Sequence, residues 1–174
     1  MSNAVVAFYS VAVVLRLCSL FVSKRNESRL RAQGAEEFGE GNSRLLVILH
    51  LIFYVAALIE GLWRGAQVTA FTWLGLTLWG FSMIMLAYVM HELGRLWSVK
   101  LLVASDHTLK KSWLFRLVRH PNYYLNIVPE LIGVAFVLQA FLTIAIIFPY
   151  YLFVLFQRIK LEERVMHQRF FDYK

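Results

Sequence analysis

The chain has 174 residues, of which 59% are hydrophobic and 16% aromatic, and its formal net charge is +7. Soluble globular domains are about 45–50% apolar, so this composition predicts a polytopic membrane protein instead. The length fits one membrane domain, residues 1–174. The basic residues are confined to certain loops, which argues against a nucleic-acid-binding fold. Cys18 is the only cysteine, which excludes an internal disulfide.

Five apolar segments predict transmembrane helices, and the last two form a hairpin. Residues 122–157 contain a single charge, Glu130. As one helix this tract would be about 54 Å long, nearly twice a hydrocarbon core of ~30 Å, so we predict that it turns back near Gln139. The fold class is therefore all-α, with spans at 4–22, 45–63, 71–90, 122–139 and 140–156, and an amphipathic helix from Gln157 onward.

The polar segments between the spans predict the orientation. Five Lys or Arg residues lie in residues 23–44, six in 91–119 and five in the tail, whereas only Arg64 lies between the second and third spans. The positive-inside rule then places the N-terminus outside and the C-terminus in the cytoplasm. Three glycines in residues 23–44 predict a loop there, with room for one short surface helix.

The predicted hairpin brings two charged clusters to the same membrane face. Arg119 and His120 precede Pro121, which fits the first turn of a helix, so both lie at the positive end of that helix. Arg158 and the glutamate pair at 162–163 follow the last span. An arginine that faces two carboxylates across a small gap suits a zwitterionic ligand. Taken alone, each cluster is also compatible with ordinary charges at a membrane surface.

Other polar residues lie within the apolar segments. Glu130 shares a helix face with Tyr123 and Asn126, and an intramembrane glutamate is a candidate functional residue. The alternative is a Glu130–Asn126 hydrogen bond that only fixes helix packing. His50 is interpreted as an interfacial residue, and Glu60 as either interfacial or paired. The histidines lack the spacing of metal ligands on one helix, so no metal is predicted.

An ordered set of motifs runs through the C-terminal half. It consists of His107-Thr108-Leu109, Arg119-His120-Pro121-Asn122-Tyr123, Arg158 with Glu162-Glu163, and Phe170 with Tyr173. This set resembles the isoprenylcysteine carboxyl methyltransferase family, which belongs with the phospholipid methyltransferases, in its short bacterial-type branch. The resemblance covers about residues 97–174. Leu125 and Trp113 stand where the family has glycines, and these larger side chains are expected to reshape the cleft.

The resemblance implies S-adenosylmethionine as the cofactor, a zwitterion that fits the cleft described above. Arg158 and Glu130 would be the catalytic residues, with Arg158 nearer the transferred methyl. A carboxylate acceptor would need only Arg158 to hold it, whereas a phenol or enol would need a base, Glu130 or His107. The implied cofactor-binding residues are His107, Leu109, Arg119, His120, Pro121, Tyr123, Glu162 and Glu163.

The implied acceptor is a lipid-like small molecule that enters sideways from the bilayer. Some relatives in the short branch accompany enzymes that make alkylpyrones and alkylresorcinols, so a long-alkyl compound is expected in preference to a prenylated protein. The cofactor would enter from the cytoplasm.

Two other function classes remain open at this point. Membrane sterol reductases, which use NADPH, resemble this hairpin and carry a similar RHPNY turn, although they are far longer. A non-catalytic membrane scaffold or transporter subunit is the third class. It predicts that alanine at Arg119 or Glu162 changes stability or partner binding without affecting any cofactor.

Overall fold

The computed structural model describes residues 1–103 and 113–169. Nearly all of these residues are helical, and the only β-structure among them is one sheet of two short strands. In chain order the elements are α1 (Asn3–Ala32), β1 (Glu36–Phe38), α2 (Glu40–Trp63), α3 (Ala70–Leu93), a 3-10 turn (Gly94–Leu96), β2 (Leu101–Val103), α4 (Trp113–Leu117), a π-helical segment (Asn122–Ile127), α5 (Val128–Val137) and α6 (Phe141–Arg169).

Four helices of the described part are long and apolar enough to cross a membrane: α1, α2, α3 with the turn that follows it, and α6. Their outward surfaces carry large apolar side chains such as Phe21, Leu51, Ile84 and Ile146. A soluble protein rarely exposes so much contiguous apolar surface, whereas lipid tails solvate it readily. The chain is therefore an all-α integral membrane protein, as the sequence predicts.

The predicted fourth span, residues 122–139, differs from expectation. It consists of a six-residue π-helical segment and the ten-residue α5. Together they are shorter than the ~20 residues that a spanning helix needs. Leu131, Val134 and Ala135 of α5 are fully buried. In the described residues the prediction of five spanning helices is thus corrected to four, and α5 packs among them. The turn predicted near Gln139 is confirmed, because Gln139 has a φ of 55° between α5 and α6.

A direct contact between backbones holds α5 against α3. A Cβ atom built on Gly75 would lie 2.6 Å from the carbonyl oxygen of Gly133 and 2.8 Å from a methyl group of Val137. Only glycine allows this approach, which is a common way for membrane helices to gain packing energy. This contact fixes the position of the π-helical segment that precedes α5.

Helix α6 carries the charged tail as a continuous extension of a spanning helix. The helix predicted from Gln157 is confirmed as far as Arg169, although it continues the last spanning helix, since α6 runs without a break from Phe141 to Arg169. Its first turn is capped by the carboxylate of Glu60, which accepts hydrogen bonds from the backbone N–H groups of Leu142 (2.9 Å) and Thr143 (2.8 Å). Glu60 also pairs with Arg64 at 2.8 Å, so the prediction that Glu60 is paired is confirmed.

The first polar segment is more ordered than the predicted loop. Helix α1 continues to Ala32, and β1 pairs antiparallel with β2, with Glu36 opposite Val103. Lys100 bridges Glu27 (2.8 Å) and Glu37 (3.2 Å), which ties the sheet to α1. The strands are three residues each, EEF and LLV, and neither alternates between polar and apolar residues, so this sheet was not expected from sequence.

The end of α1 also positions the segment after α3. The side-chain amide of Asn26 donates to the carbonyl of Trp97 at 2.9 Å, and the hydroxyl of Ser23 accepts from the N–H of Val99 at 2.9 Å. Both side chains are buried. These bonds hold residues 97–99 against the bundle, where they line the cavities described next.

Candidate active site

The turn at Arg119, His120 and Pro121 starts the π-helical segment. The carbonyl of His120 accepts hydrogen bonds from the backbone N–H groups of Tyr123 (3.0 Å) and Tyr124 (3.1 Å). Pro121 has helical backbone angles and no N–H to satisfy, as predicted for the first turn. The His120 side chain points inward and is buried, whereas that of Arg119 is exposed. Such π-helical segments occur frequently at functional sites.

The structure brings the two predicted charged clusters together. The hydroxyl of Tyr123 donates to Glu162 at 2.6 Å. The His120 ring lies 3.5 Å from Glu162 through Nδ1 and 3.3 Å from Glu163 through Nε2, and Arg119 lies 4.0 Å from Glu163. The hairpin between the clusters therefore folds back far enough to form one polar site from both.

Arg158 is the centre of this site and is only 2% exposed. Its guanidinium donates to the hydroxyl of Ser43 (2.7 Å), the hydroxyl of Tyr123 (3.2 Å) and the carbonyl of Val99 (3.3 Å). All three partners are neutral oxygens, and no carboxylate of the described residues lies within ion-pair distance of it. A buried cation without a directly paired anion is unfavourable, so Arg158 attracts an anionic ligand group.

The electrostatics of the turn favour a charged His120. Burial alone would lower the pKa of His120, but its hydrogen bond to Glu162 and the negative charges of Glu162 and Glu163 outweigh burial and raise that pKa above the ordinary value. Two carboxylates, Glu162 and Glu163, thus lie beside this ring. Carboxylates suit the ammonium or sulfonium group of a ligand.

Two cavities meet at Arg158. The first, of about 160 Å³, lies between the segment after α3, the turn at residues 119–121 and α6, with Glu162 and Met166 in its wall. The second, of about 420 Å³, lies between α1 and α2 and is mostly apolar, with Leu17 and Leu51 at its edge. The residues that line both cavities are Trp97, Ser98, Asn122, Tyr123 and Arg158. A ligand in each cavity would thus touch the same wall.

One buried donor in the wall of both cavities, Nε1 of Trp97, has no hydrogen-bond partner in the described part of the chain. Buried polar atoms are rarely left unpaired, so this N–H is a candidate contact for a ligand. Trp97, Ser43 and Val99 are not among the site residues predicted from sequence. No motif marks these residues, because their function depends only on where α1 and α2 place them.

A second polar cluster lies deeper in the bundle. Glu130 pairs with Arg16 at 2.5 Å and accepts a hydrogen bond from the Tyr54 hydroxyl at 2.6 Å. Nε of Arg16 donates to Nε2 of His50 at 3.0 Å. Glu130 is 1% exposed and lines neither cavity, which argues against the catalytic role predicted for it. The alternative Glu130–Asn126 bond is not formed either, since Asn126 donates to Asn122.

His50, interpreted as interfacial, has its partners inside the bundle: it stacks on Tyr54 with ring centroids 5.1 Å apart and accepts a hydrogen bond from Arg16. Arg16 is itself partnered inside the bundle by Glu130. The signal that could have found this cluster is the occurrence of opposite charges, Arg16 and Glu130, inside two apolar segments.

The remaining predicted residues are placed as follows. Pro121 lines the first cavity. His107 and Leu109 lie outside the described residues, as do Phe170 and Tyr173. Leu125 and Trp113, which replace family glycines, line neither cavity; Trp113 is exposed beside Tyr88, and Leu125 packs in a small apolar cluster with Trp97.

The helices and the site define an integral membrane protein in which a polar cavity and an apolar cavity share a buried arginine. Comparison with known families agrees with this description. The sequence profile of the isoprenylcysteine carboxyl methyltransferase family matches residues 73–168, which is more than half of the chain. The chain belongs to this family, and membership indicates a membrane methyltransferase.

Two relatives extend over nearly the whole chain. An uncharacterized protein of Haemophilus influenzae is 41% identical over 162 residues, which is 93% of this chain and 94% of the relative. The uncharacterized protein YpbQ of Bacillus subtilis is 27% identical over 160 residues, 91% of this chain and 94% of that protein. No solved structure matches the chain at a significant level.

Proposed function

We propose that the chain is an S-adenosylmethionine-dependent methyltransferase that methylates the carboxylate of a lipid-like acceptor. The observation that carries this proposal is the wall shared by the two cavities, with Arg158 in it. A transferase must bring a polar donor and its acceptor into contact while water is excluded. A polar cavity and an apolar cavity that meet at one buried arginine provide that geometry.

The first cavity fits the cofactor by the chemistry of its donors and charges. Arg119 suits the carboxylate of the cofactor, and Glu162 with Glu163 suits its ammonium group. The unpaired Nε1 of Trp97 offers a further polar contact. When bound, S-adenosylmethionine supplies a methyl group on a positively charged sulfur. The family resemblance adds His107, Leu109, Pro121 and Tyr123 to this set.

The second cavity fits an apolar acceptor that arrives from the bilayer. Leu17, Leu51 and Val55 line it and are also exposed on the lipid-facing surface of α1 and α2. A long alkyl or prenyl chain could therefore remain in contact with lipid while its head group reaches Arg158. Transfer of apolar groups between lipid and this cavity costs little, because both environments are apolar.

Arg158 favours a carboxylate over a phenol or enol. Its present partners are three neutral oxygens, so an anionic oxygen would complete its pairing. A carboxylate is already ionised and needs no general base, and Arg158 can hold one oxygen while the other faces the first cavity. Glu130, the base considered for a phenol, is not in either wall. We assign the Arg119–Arg158 side of the bundle to the cytoplasm, as the positive-inside rule suggests.

Calorimetric titration of the purified protein with S-adenosylhomocysteine, and separately with NADPH, tests this proposal. We expect S-adenosylhomocysteine to bind and Glu162→Gln to weaken that binding about 10- to 100-fold, the effect of losing a charge-assisted contact. Glu40→Gln is the matched control, because Glu40 is exposed and lies on α2 outside both cavities. Binding of NADPH alone would assign the chain to reductase chemistry, and binding of neither compound by the folded protein would indicate a non-catalytic role.

A further inference from the structure

The deep end of the apolar cavity contains polar groups that the proposed transfer reaction does not use. Arg16, His50, Tyr54 and Tyr151 all line this cavity. They belong to α1, α2 and α6 and connect through Arg16 to the buried carboxylate of Glu130. In a protein interior such a cluster usually satisfies itself completely. Here the hydrogen-bond roles open to each group leave some donors without an acceptor.

The hydrogen bonds of the cluster fix the tautomer of His50. An arginine can only donate, so Nε2 of His50 must accept the hydrogen bond from Nε of Arg16 and carries no proton. The ring is therefore neutral with its proton on Nδ1, which lies 3.4 Å from the hydroxyl oxygen of Tyr151 and donates to it. The hydroxyl hydrogen of Tyr151 is then left without an acceptor in the described part of the chain.

Arg16 has spare donors as well. Its Nε donates to His50 and its Nη2 to Glu130, while Nη1 has no hydrogen bond to any residue that the structure describes. Its side chain remains 15% exposed although it lies inside the bundle, because it borders the cavity. The groups left over at this end are therefore donors, from Arg16 and Tyr151, and a ligand group there must accept hydrogen bonds.

The charges at the deep end cancel. Arg16 carries +1, Glu130 carries −1 and the imidazole of His50 is neutral, so the net charge is zero. A second anionic group would be buried without a free counter-charge, which is costly. A neutral oxygen acceptor, such as a ketone, amide or ester carbonyl, matches the donors at no such cost.

The distance between the two polar ends of the cavity follows from helix geometry. Ser43 of α2 contacts Arg158 of α6, and His50 of α2 contacts Tyr151 of α6. Each contact pair is seven residues from the other on both helices, which is two helical turns or about 10 Å. Helices α2 and α6 run antiparallel and give the same spacing. The polar groups around Arg158 and those around Tyr151 therefore lie on the same side of the cavity.

We infer that the acceptor carries two polar groups about 10 Å apart, an anionic oxygen held by Arg158 and a neutral carbonyl-type oxygen held by Arg16 and Tyr151, on an otherwise apolar skeleton. The inference rests on the proposed function for the role of Arg158, and it names the class of acceptor that the same cavity takes. A simple alkylpyrone or alkylresorcinol does not fit, because its oxygens are attached to one small ring.

Three fatty acids serve as probes for this inference, and their binding is measured by calorimetry with the protein in lipid nanodiscs and with empty nanodiscs as a blank. In 9-oxo-octadecanoate the extended chain places the ketone near the donors of Arg16 and Tyr151. In 4-oxo-octadecanoate the ketone is too close to the carboxylate to reach these donors, and octadecanoate has no ketone. We expect the 9-oxo acid to bind about 3- to 10-fold more tightly than the other two, the worth of a buried hydrogen bond. This comparison uses the unmodified protein and does not depend on the folding of any variant.

Tyr151→Phe should reduce the preference for the 9-oxo acid, because Arg16 is then the only one of the two proposed donors left to bind the ketone. Tyr150→Phe is the matched control, because Tyr150 is the neighbouring tyrosine and points outward with half of its surface exposed. Equal affinity for the three acids, no measurable binding of any, or a preference that Tyr151→Phe does not reduce would overturn the inference. Titration with S-adenosylhomocysteine in the same nanodiscs separates the two claims. Cofactor binding without the ketone preference refutes only this inference. The ketone preference without cofactor binding refutes only the proposal that the cofactor is S-adenosylmethionine.

Discussion

The two polar clusters of this bundle have similar residues but differ in whether their buried charges are paired. In the deep cluster, the carboxylate of Glu130 is fully occupied by Arg16 and Tyr54. In the cluster at the charged end of α6, Arg158 is buried against neutral oxygens only. The carboxylate of Glu130 needs no ligand to complete its pairing, whereas Arg158 has no directly paired anion among the described residues. This difference in pairing supports the proposal that Arg158 holds an anionic ligand group.

The largest expected effect is on the deep cluster. Glu130→Ala leaves Arg16 buried and uncompensated, and breaking a buried ion pair in this way costs about 3–5 kcal/mol. We expect a large fall in the midpoint of thermal unfolding in detergent. The double variant Arg16→Met with Glu130→Leu should recover most of the loss, since it removes both charges. If Glu130→Ala is as stable as the parent protein, the structural role of the pair is refuted.

The next largest effect concerns the other cluster and appears in rate, not in stability. Arg158→Lys keeps the positive charge, but the ammonium group cannot reproduce the three directed bonds of the guanidinium. We expect methyl transfer to fall about 100-fold, as on loss of a positioned donor, with unchanged binding of S-adenosylhomocysteine. The control Arg44→Lys, at an exposed position, should retain full activity. A fully active Arg158→Lys would contradict the acceptor role.

A smaller effect compares two tyrosines. The Tyr54 hydroxyl donates to the charged carboxylate of Glu130, whereas the Tyr9 hydroxyl donates to the neutral carbonyl of Tyr54 at 3.1 Å. Hydrogen bonds to charged groups contribute about 1.5–3 kcal/mol and neutral ones about 0.5–1.5 kcal/mol. Thermal unfolding should therefore show a larger loss for Tyr54→Phe than for Tyr9→Phe. The opposite order would mean that the deep ion pair does not need Tyr54.

The smallest expected effect is the pH dependence at His120. Its pKa in the folded protein is raised above the ordinary 6.5 by Glu162 and Glu163, despite burial. Because the folded-state pKa is raised, the stabilisation of the fold by protonated His120 is fully present below about pH 6.5. It is lost as the pH rises through the raised value. The stability advantage over His120→Gln should accordingly shrink between about pH 6 and pH 9. An advantage that grows with pH over this range would show that His120 is not held as the cation.

Hydropathy predicts the spanning helices well because a long apolar segment has few alternatives to a membrane helix. It fails for residues 122–139, since a buried helix inside the bundle is as apolar as one that faces lipid. It also fails at the sheet of β1 and β2, whose pairing depends on residues far apart in sequence.

The charged end of the site was predictable and the rest was not. Motif order and the hairpin together predicted that Arg119 and His120 meet the cluster of Arg158 and the glutamates at 162–163. The contributions of Ser43 and Trp97 could not be foreseen, because they follow from the packing of α1 and α2 against α6. Likewise the partner of Glu130 is Arg16, 114 residues away along the chain, and no local spacing indicates that pair.

The most direct test of the central claim is the chemical nature of the transferred methyl group. The protein would be incubated with S-adenosylmethionine labelled in the methyl group and with an organic extract of membranes, in parallel with Arg158→Lys. The account predicts labelled product in the organic phase that releases volatile methanol under mild alkali, as a methyl ester does, and a strong reduction of this signal in the variant. Labelled product that resists alkali, or a protein that binds S-adenosylhomocysteine yet transfers no label, would contradict a carboxylate held by Arg158.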